Sequence, residues 1–248
     1  MCGRYASTRS PADLAALFDA YDETEDALVA DYNVAPTDPV PIVRMTEREP
    51  GRIVAVARWG LVPAWAPSPD GAARMINARA ETVARSPAFA RSFAQRRCLV
   101  PADGWYEWVR SPDGRRTQPY YMTRPDGLAF GGIWSVWSSG ERRLVTFSVV
   151  TLAARGRLAQ VHHRMPLVLT PQRWEEWLLA ADASDLLAPA PDSYLDALEL
   201  RPVARAVGDV RNDGPELIRA IAVGADAATL GTSAADASTV ATSPPTLF

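Results

Sequence analysis

Five apolar runs, each rich in β-branched and aromatic residues, constrain what this chain can fold into more than any other feature. They are Ile53–Trp59, Cys98–Val109, Pro119–Thr123, Leu128–Trp137 and Leu144–Thr151, and their composition predicts strands. Ser111-Pro112-Asp113-Gly114 and Pro125-Asp126-Gly127 supply turns between neighbours. Strands joined by such short turns pair antiparallel, because a parallel partner needs a long crossover.

Helix signals are fewer and do not alternate regularly with the strands. Ser10-Pro11-Ala12-Asp13 combines an N-cap, a first-turn proline and an early acid, followed by Leu14, Leu17 and Phe18 at helical spacing. Ser86-Pro87 repeats the start signal, with Phe89 and Phe93 four apart and Arg96-Arg97 near the expected end. Thr170-Pro171 precedes Trp174, Trp177 and Leu178 in the same way. The pattern predicts an α+β fold with a mainly antiparallel sheet in one domain over residues 1–223. Residues 224–248, rich in Ala, Ser and Thr and without periodicity, are expected to form a flexible tail.

No stretch approaches the roughly 20 apolar residues of a membrane helix, and no leader pattern opens the chain. The two cysteines, Cys2 and Cys98, do not make a disulfide framework. We therefore expect a soluble, cytoplasmic protein. The formal net charge is -3, yet residues 51–100 carry eight arginines against only Asp70 and Glu81. Gathered on one face those arginines form an anion-binding surface; scattered, they are solvated charges. Every basic residue is arginine and none is lysine, so imine chemistry has only the α-amino group available.

That restriction gives weight to the start of the chain, Met1-Cys2-Gly3-Arg4-Tyr5. Removal of Met1 exposes a 1,2-aminothiol whose amine and thiol, with reference pKa values of about 7.7–8.0 and about 8.5, are both partly reactive near neutral pH. An aldehyde can then form an imine with the amine and close a thiazolidine through sulfur. A small second residue also suits processing alone.

Other residues offer matching chemistry, each with a plainer alternative. Glu107, inside Trp105-Tyr106-Glu107-Trp108, is either an exposed strand carboxylate or one turned into an apolar pocket for acid–base work. His162 and His163 are the only histidines; they are either polar surface or a proton shuttle, with Arg164 beside them to hold a phosphate. Two imidazoles leave too few ligands for a zinc site, so neither metal nor organic cofactor is expected. Asn77 and Arg79, two apart, share one side of an extended segment, as an amide that orients substrate and a phosphate contact or as ordinary loop polarity. Trp59 and Trp65 lie near arginines and could stack nucleobases, or belong to the core.

Taken in order, "MCGRY", "YNVAPT", "RWGLVPAWA", "NARAET", "GWYEW" and "HHRMPLVL" resemble the SOS-response-associated peptidase family, the abasic-site-processing proteins of bacteria and eukaryotes. The resemblance runs from Cys2 to about Leu169 and continues more weakly through "RNDGPELI" at Arg211–Ile218. It implies strongly twisted, mainly antiparallel sheets forming a barrel-like core with flanking helices. It also implies that the N-terminal cysteine attacks the ring-opened sugar of an abasic site in single-stranded DNA, giving a thiazolidine DNA–protein crosslink that shields the lesion. By motif position Cys2 matches the nucleophile, Asn77 the substrate-orienting asparagine, Glu107 the glutamate that moves protons, and His162 the histidine that assists sugar opening and crosslink reversal. Arg4, Arg79 and Arg164 would hold phosphates flanking the lesion. The associated peptidase activity would remove what precedes the cysteine, here Met1. A monomer without a metal, nucleoid-associated when on DNA, is the expected working form.

Two rival functions remain open to the sequence. An N-terminal cysteine amidohydrolase would use the thiol on an amide with the α-amine as base. A noncovalent single-strand binder would rely on its arginine and tryptophan groove, with strong salt sensitivity and no need of Cys2.

Overall fold

The computed structural model describes residues 2–25, 27–46, 51–110 and 116–222, with only the backbone at Arg110, Arg116 and Thr117. The expected turn at Ser111–Gly114 and the expected tail at 224–248 lie outside the described residues. The strands are β1 (Tyr5–Ser7), β2 (Ala20–Asp22), β3 (Asp31–Val34), β4 (Pro39–Met45), β5 (Arg52–Trp59), β6 (Asn77–Arg79), β7 (Arg97–Arg110), β8 (Arg116–Ser139), β9 (Arg142–Ala153), β10 (Arg164–Pro166) and β11 (Glu199–Pro202). The α-helices are α1 (Pro11–Phe18), α2 (Ala90–Gln95), α3 (Gly156–Val161), α4 (Trp174–Leu179) and α5 (Asp192–Asp196).

Strands β8, β9, β5, β4 and β7 hydrogen-bond in sequence, and β7 pairs again with β8, which closes the ring. Closure removes the open edges that a flat sheet would leave unpaired. Most pairings are antiparallel, as expected, but β2 with β5, β5 with β9, and β6 with β9 run parallel. The fold is thus a sheet-dominated α+β arrangement with small helices around it.

Local sequence explains the first helix well. The Ser10 hydroxyl accepts the backbone N–H of Asp13 at 3.1 Å, Pro11 opens α1, and Leu14 and Phe18 are its buried residues. The second predicted helix ends at Gln95, beside Arg96-Arg97 as expected, but begins only at Ala90, with a turn over residues 87–89 after the Ser86-Pro87 signal. Arg97 is buried and donates to the last-turn carbonyls Phe93 and Ala94 of α2, as a cation at that helix end was expected to, and also to Trp177 and Ala180 at the end of α4, so it staples the two helix ends together.

The runs Pro119–Thr123 and Leu128–Trp137 were expected as two strands with a reversal at Pro125-Asp126-Gly127, and both belong to β8. Each pairs with the same long β7, so the chain between them cannot reverse and bulges instead. Residues 124–127 stand opposite Asp103 alone, between the pairs Gly104↔Thr123 and Ala102↔Leu128, with Gly127 at φ +79°. Gly104 is required at that shift: a Cβ there would sit 2.5 Å from the Met122 carbonyl oxygen and from the Tyr121 ring.

Aromatic rings fill the middle of the ring of strands. Tyr5 meets Trp59 edge-on at 5.0 Å and Phe130 at 6.2 Å, and Trp105 meets Phe130 at 5.9 Å. Among the described residues no helix is long and apolar enough to cross a membrane.

Candidate active site

β1 lies along β7 with Tyr5 opposite Trp105 and Ala6 opposite Gly104, and the Tyr106 amide donates to the Arg4 carbonyl at 3.0 Å. The residues ahead of β1 include Cys2, near enough to Glu107 for that carboxylate's charge to act on the thiol. Cys2 is fully buried. Burial, and after it the Glu107 charge, pushes its thiol above the ordinary range, while the Arg4 backbone N–H acts in the opposite direction. The resting thiol therefore carries its proton.

Glu107 is 4% exposed, which resolves its two sequence readings in favour of a buried carboxylate. Its Oε1 stands 3.7 Å from His162 Nδ1, within ion-pair range but longer than a hydrogen bond. His162 ends α3, its amide donating to the Leu158 carbonyl. The Arg164 backbone N–H donates to His162 Nδ1 at 3.0 Å, which puts the proton of a neutral ring on Nε2. The Arg164 carbonyl lies 3.2 Å from the same nitrogen, so an imidazolium has an acceptor there as well as the carboxylate. Either protonation state has a partner at Nδ1, as a group that exchanges protons requires.

Asn77 opens β6, which the parallel pairing Asn77↔Val149 and the Val149 amide bond to the Ile76 carbonyl hold against β9. Its Nδ2 donates to the Cys2 carbonyl at 2.7 Å. The structure thus brings Cys2, Asn77, Glu107 and His162 together from four separate stretches of chain.

The remaining candidates divide. Arg79 is exposed at the end of β6, and Trp65 is 68% exposed. Trp59 corrects an expectation: it is fully buried, donates its indole N–H to the Ile76 carbonyl at 2.9 Å and packs on Tyr5, so it has no face to offer a base. Arg164 forms a two-point pair with Glu81, at 2.5 and 3.0 Å, and donates to the Thr151 carbonyl at 2.6 Å. That pairing holds the Glu81 carboxyl below its usual range. Arg4 donates to Asn33 Oδ1 at 2.6 Å and to the Val207 carbonyl at 2.9 Å, tying the N-terminal segment to β3 and to the turn after β11.

Sequence reasoning passed over Glu81 and Asn33. Glu81 is two residues beyond Arg79, in the turn that follows β6, and its place in the "NARAET" stretch was its one available signal. Asn33 also donates to the carbonyls of Asp209 and Asn212 at 3.0 and 2.8 Å, so "YNVAPT" and "RNDGPELI" are two sides of one contact. Among the described residues no three His, Cys, Asp or Glu side chains cluster closely enough to hold a metal ion.

A family model described as SOS response associated peptidase (SRAP) matches residues 1–210. Among curated proteins, the chain is 33% identical over 231 residues to abasic site processing protein YedK of Escherichia coli, covering 89% of this chain and all of that one. It is 31% identical over 224 residues to abasic site processing protein YoqW of Bacillus subtilis, covering 88% and 99%. Abasic site processing protein HMCES of Xenopus tropicalis is 26% identical over 270 residues, covering 89% and 78%. A crystal structure of a Bacteroides thetaiotaomicron protein shares the fold at a TM-score of 0.77, with 23% identity over 89% of this chain and 100% of that one. With the family model spanning most of its length and these relatives matched nearly end to end, the chain belongs to the SOS response associated peptidase family.

Proposed function

We propose that the chain, once Met1 is removed, reacts through Cys2 with the ring-opened sugar of an abasic site in single-stranded DNA and holds it as a thiazolidine. The single observation that supports this most is the buried meeting of Cys2 with Asn77, Glu107 and His162 in a chain without lysine. The names of its relatives, abasic site processing proteins, point to the same lesion.

In this reading the α-amine attacks the C1′ aldehyde first, since the thiol begins protonated. The carbinolamine loses water to give an imine; sulfur then adds to the imine carbon as its proton passes to Glu107 and on to the ring nitrogen. Aldehyde and aminothiol thus become one thiazolidine and one water. His162 takes and returns protons when the sugar opens and when the adduct reverses. An unpaired, unstacked abasic nucleotide enters such a pocket at little cost, which accounts for single-strand preference. The exposed Arg79, with Arg164 and Arg4 at the margins, contacts phosphates. Self-removal of Met1 by the same residues is the peptidase step of this reading.

The test is a denaturing gel of mature protein with single-stranded DNA bearing one abasic site, beside Cys2→Ala and a form that keeps Met1. A shifted band with the mature wild type alone is expected. Native binding without any band that survives denaturation would replace the covalent reading with noncovalent binding.

A further inference from the structure

The motif that supplies His162 carries a second imidazole, to which the reaction described above gives no part. His163 is exposed, yet its ring lies against the ring of His162, with centroids 4.3 Å apart and planes tilted by 34°. Neighbours on an extended strand send their side chains to opposite faces. His162 is extended, at φ -152° and ψ 147°, but the chain bends at His163 before β10 begins, and the two rings meet. The bend is held at the backbone, where the Ala154 amide donates to the His163 carbonyl at 3.0 Å.

His162 thus stands between two groups of opposite influence. The Glu107 carboxylate, 3.7 Å from Nδ1, favours an imidazolium, whereas a charged His163 ring at 4.3 Å opposes one. Other charges on the surrounding elements are matched elsewhere: Arg164 of β10 pairs with Glu81, and Arg155 with Asp192 of α5 at 3.4 Å. Arg157 and Asp196 meet at the start of α3, the far end of that helix from His162. Two imidazoles in contact take up one proton more readily than two. Only one of them keeps its hydration when charged, because the His162 side chain is 8% exposed and His163 is open to solvent.

Resting on the covalent reading above, we propose that His163 is a positioning residue for the His162 proton: the outer ring holds the charge, and the inner ring stays neutral beside Glu107. Neutral His162 takes a proton at Nδ1, the nitrogen that faces Glu107, when the sugar opens, and gives it back afterwards. An imidazolium already in place has no room for that proton.

The chain has two histidines, so ring-proton NMR across a pH series follows each of them without ambiguity. The experiment uses the full-length mature protein as wild type, as His163→Phe, which keeps the stack without its charge, and as His163→Arg, which keeps a cation. Single-turnover crosslinking to single-stranded DNA with one abasic site is measured on the same proteins at about pH 6.5 and about pH 8.5, one near and one above the usual imidazole midpoint.

The expected result is a His162 midpoint about one pH unit higher in His163→Phe than in wild type, and unmoved in His163→Arg. Crosslinking by His163→Phe should slow by up to about tenfold at the lower pH and match wild type at the higher one. An unmoved midpoint in His163→Phe would mean that Glu107 alone decides the state of His162, which overturns the proposal. A rate lost equally at both pH values would make His163 a cover for the pocket and nothing more, and overturns it as well. So does a shifted midpoint with both rates unchanged. Wild type that forms no crosslink would end the covalent reading instead, and the His162 midpoints would still decide where the proton sits.

Discussion

Glu107 Oε1 and His162 Nδ1 face each other across 3.7 Å in a buried pocket, and the residues that carry them, on β7 and at the end of α3, are 55 positions apart in the chain. A carboxylate and an imidazole at that separation can pass a proton between them with a small shift of either side chain. Glu107→Gln keeps the shape and removes the base. Single-turnover crosslinking to abasic single-stranded DNA is expected to slow about 100-fold or more. Retention of the wild-type rate would remove Glu107 from the chemistry.

Alkaline pH offers a test that involves no DNA. Burial pushes the Cys98 thiol above its ordinary value of 9.0, and the hydroxyls of Tyr5, Tyr106 and Tyr121 are raised by the same cause. Groups held neutral in the fold contribute stability that is complete below the unfolded pKa and is lost as pH rises toward the folded one. Urea unfolding should therefore show stability falling above pH 9. Cys98→Ala should flatten that fall by about 1.4 kcal/mol per pH unit. An unchanged slope would mean that Cys98 ionises in place.

Arg164 and Glu81 make opposite predictions. If Arg164 contacts a phosphate, Arg164→Ala lowers the salt slope of single-strand binding by about 0.7 in log K against log salt. Glu81→Gln removes the carboxylate that competes for the same guanidinium, and binding should tighten. Fluorescence titrations at several salt concentrations read both. Equal slopes in wild type and Arg164→Ala would assign this arginine to Glu81 alone.

The two tryptophans of "RWGLVPAWA" separate a binding role from a packing role. Trp65→Ala is expected to weaken DNA binding by about 1–3 kcal/mol, the usual loss when one base-stacking ring is removed, with the denaturation midpoint unmoved. Trp59→Phe removes the indole N–H that reaches Ile76 and should lower stability with affinity intact. Affinity lost at Trp59 without a change in stability would contradict its placement in the core.

Gly104→Ala tests the bulge that aims the second half of β7. The added Cβ meets the Met122 carbonyl and the Tyr121 ring at 2.5 Å, so unfolding should become easier by about 1–3 kcal/mol. Because Glu107 is three residues on, crosslinking should fall further than stability alone explains. A variant as stable as wild type would show that the strand crossing can open without strain.

What the sequence made legible was local. Ser10, Pro11 and Asp13 are neighbours, and they define the start of α1 with no help from the rest of the chain. The strand runs were equally visible because burial against a sheet demands β-branched and aromatic residues wherever it occurs. Closure of the ring was not visible, since the pairing of β7 with both β4 and β8 is decided by residues far apart. Nor was the route of Arg97 into the interior, where carbonyls from α2 and α4 happen to converge. Of the candidate site, the residue types could be named but not their meeting: Glu107 read equally as surface or pocket, and its burial beside His162 depends on chain 55 residues away. Trp59 and Trp65, six positions apart in one motif, went to opposite environments for a reason that lies in Tyr5 and Ile76.

The clasp between Asn77 and the Cys2 carbonyl has a temporal meaning as well as a spatial one. Cys2 leaves the ribosome before its neighbours in the folded protein, which follow 75, 105 and 160 residues later, at Asn77, Glu107 and His162. A nascent chain therefore carries Cys2 for much of its synthesis without the side chains that surround it in the fold. The cluster of four side chains comes into being only when the ring of strands closes, so an unfinished or misfolded copy lacks it.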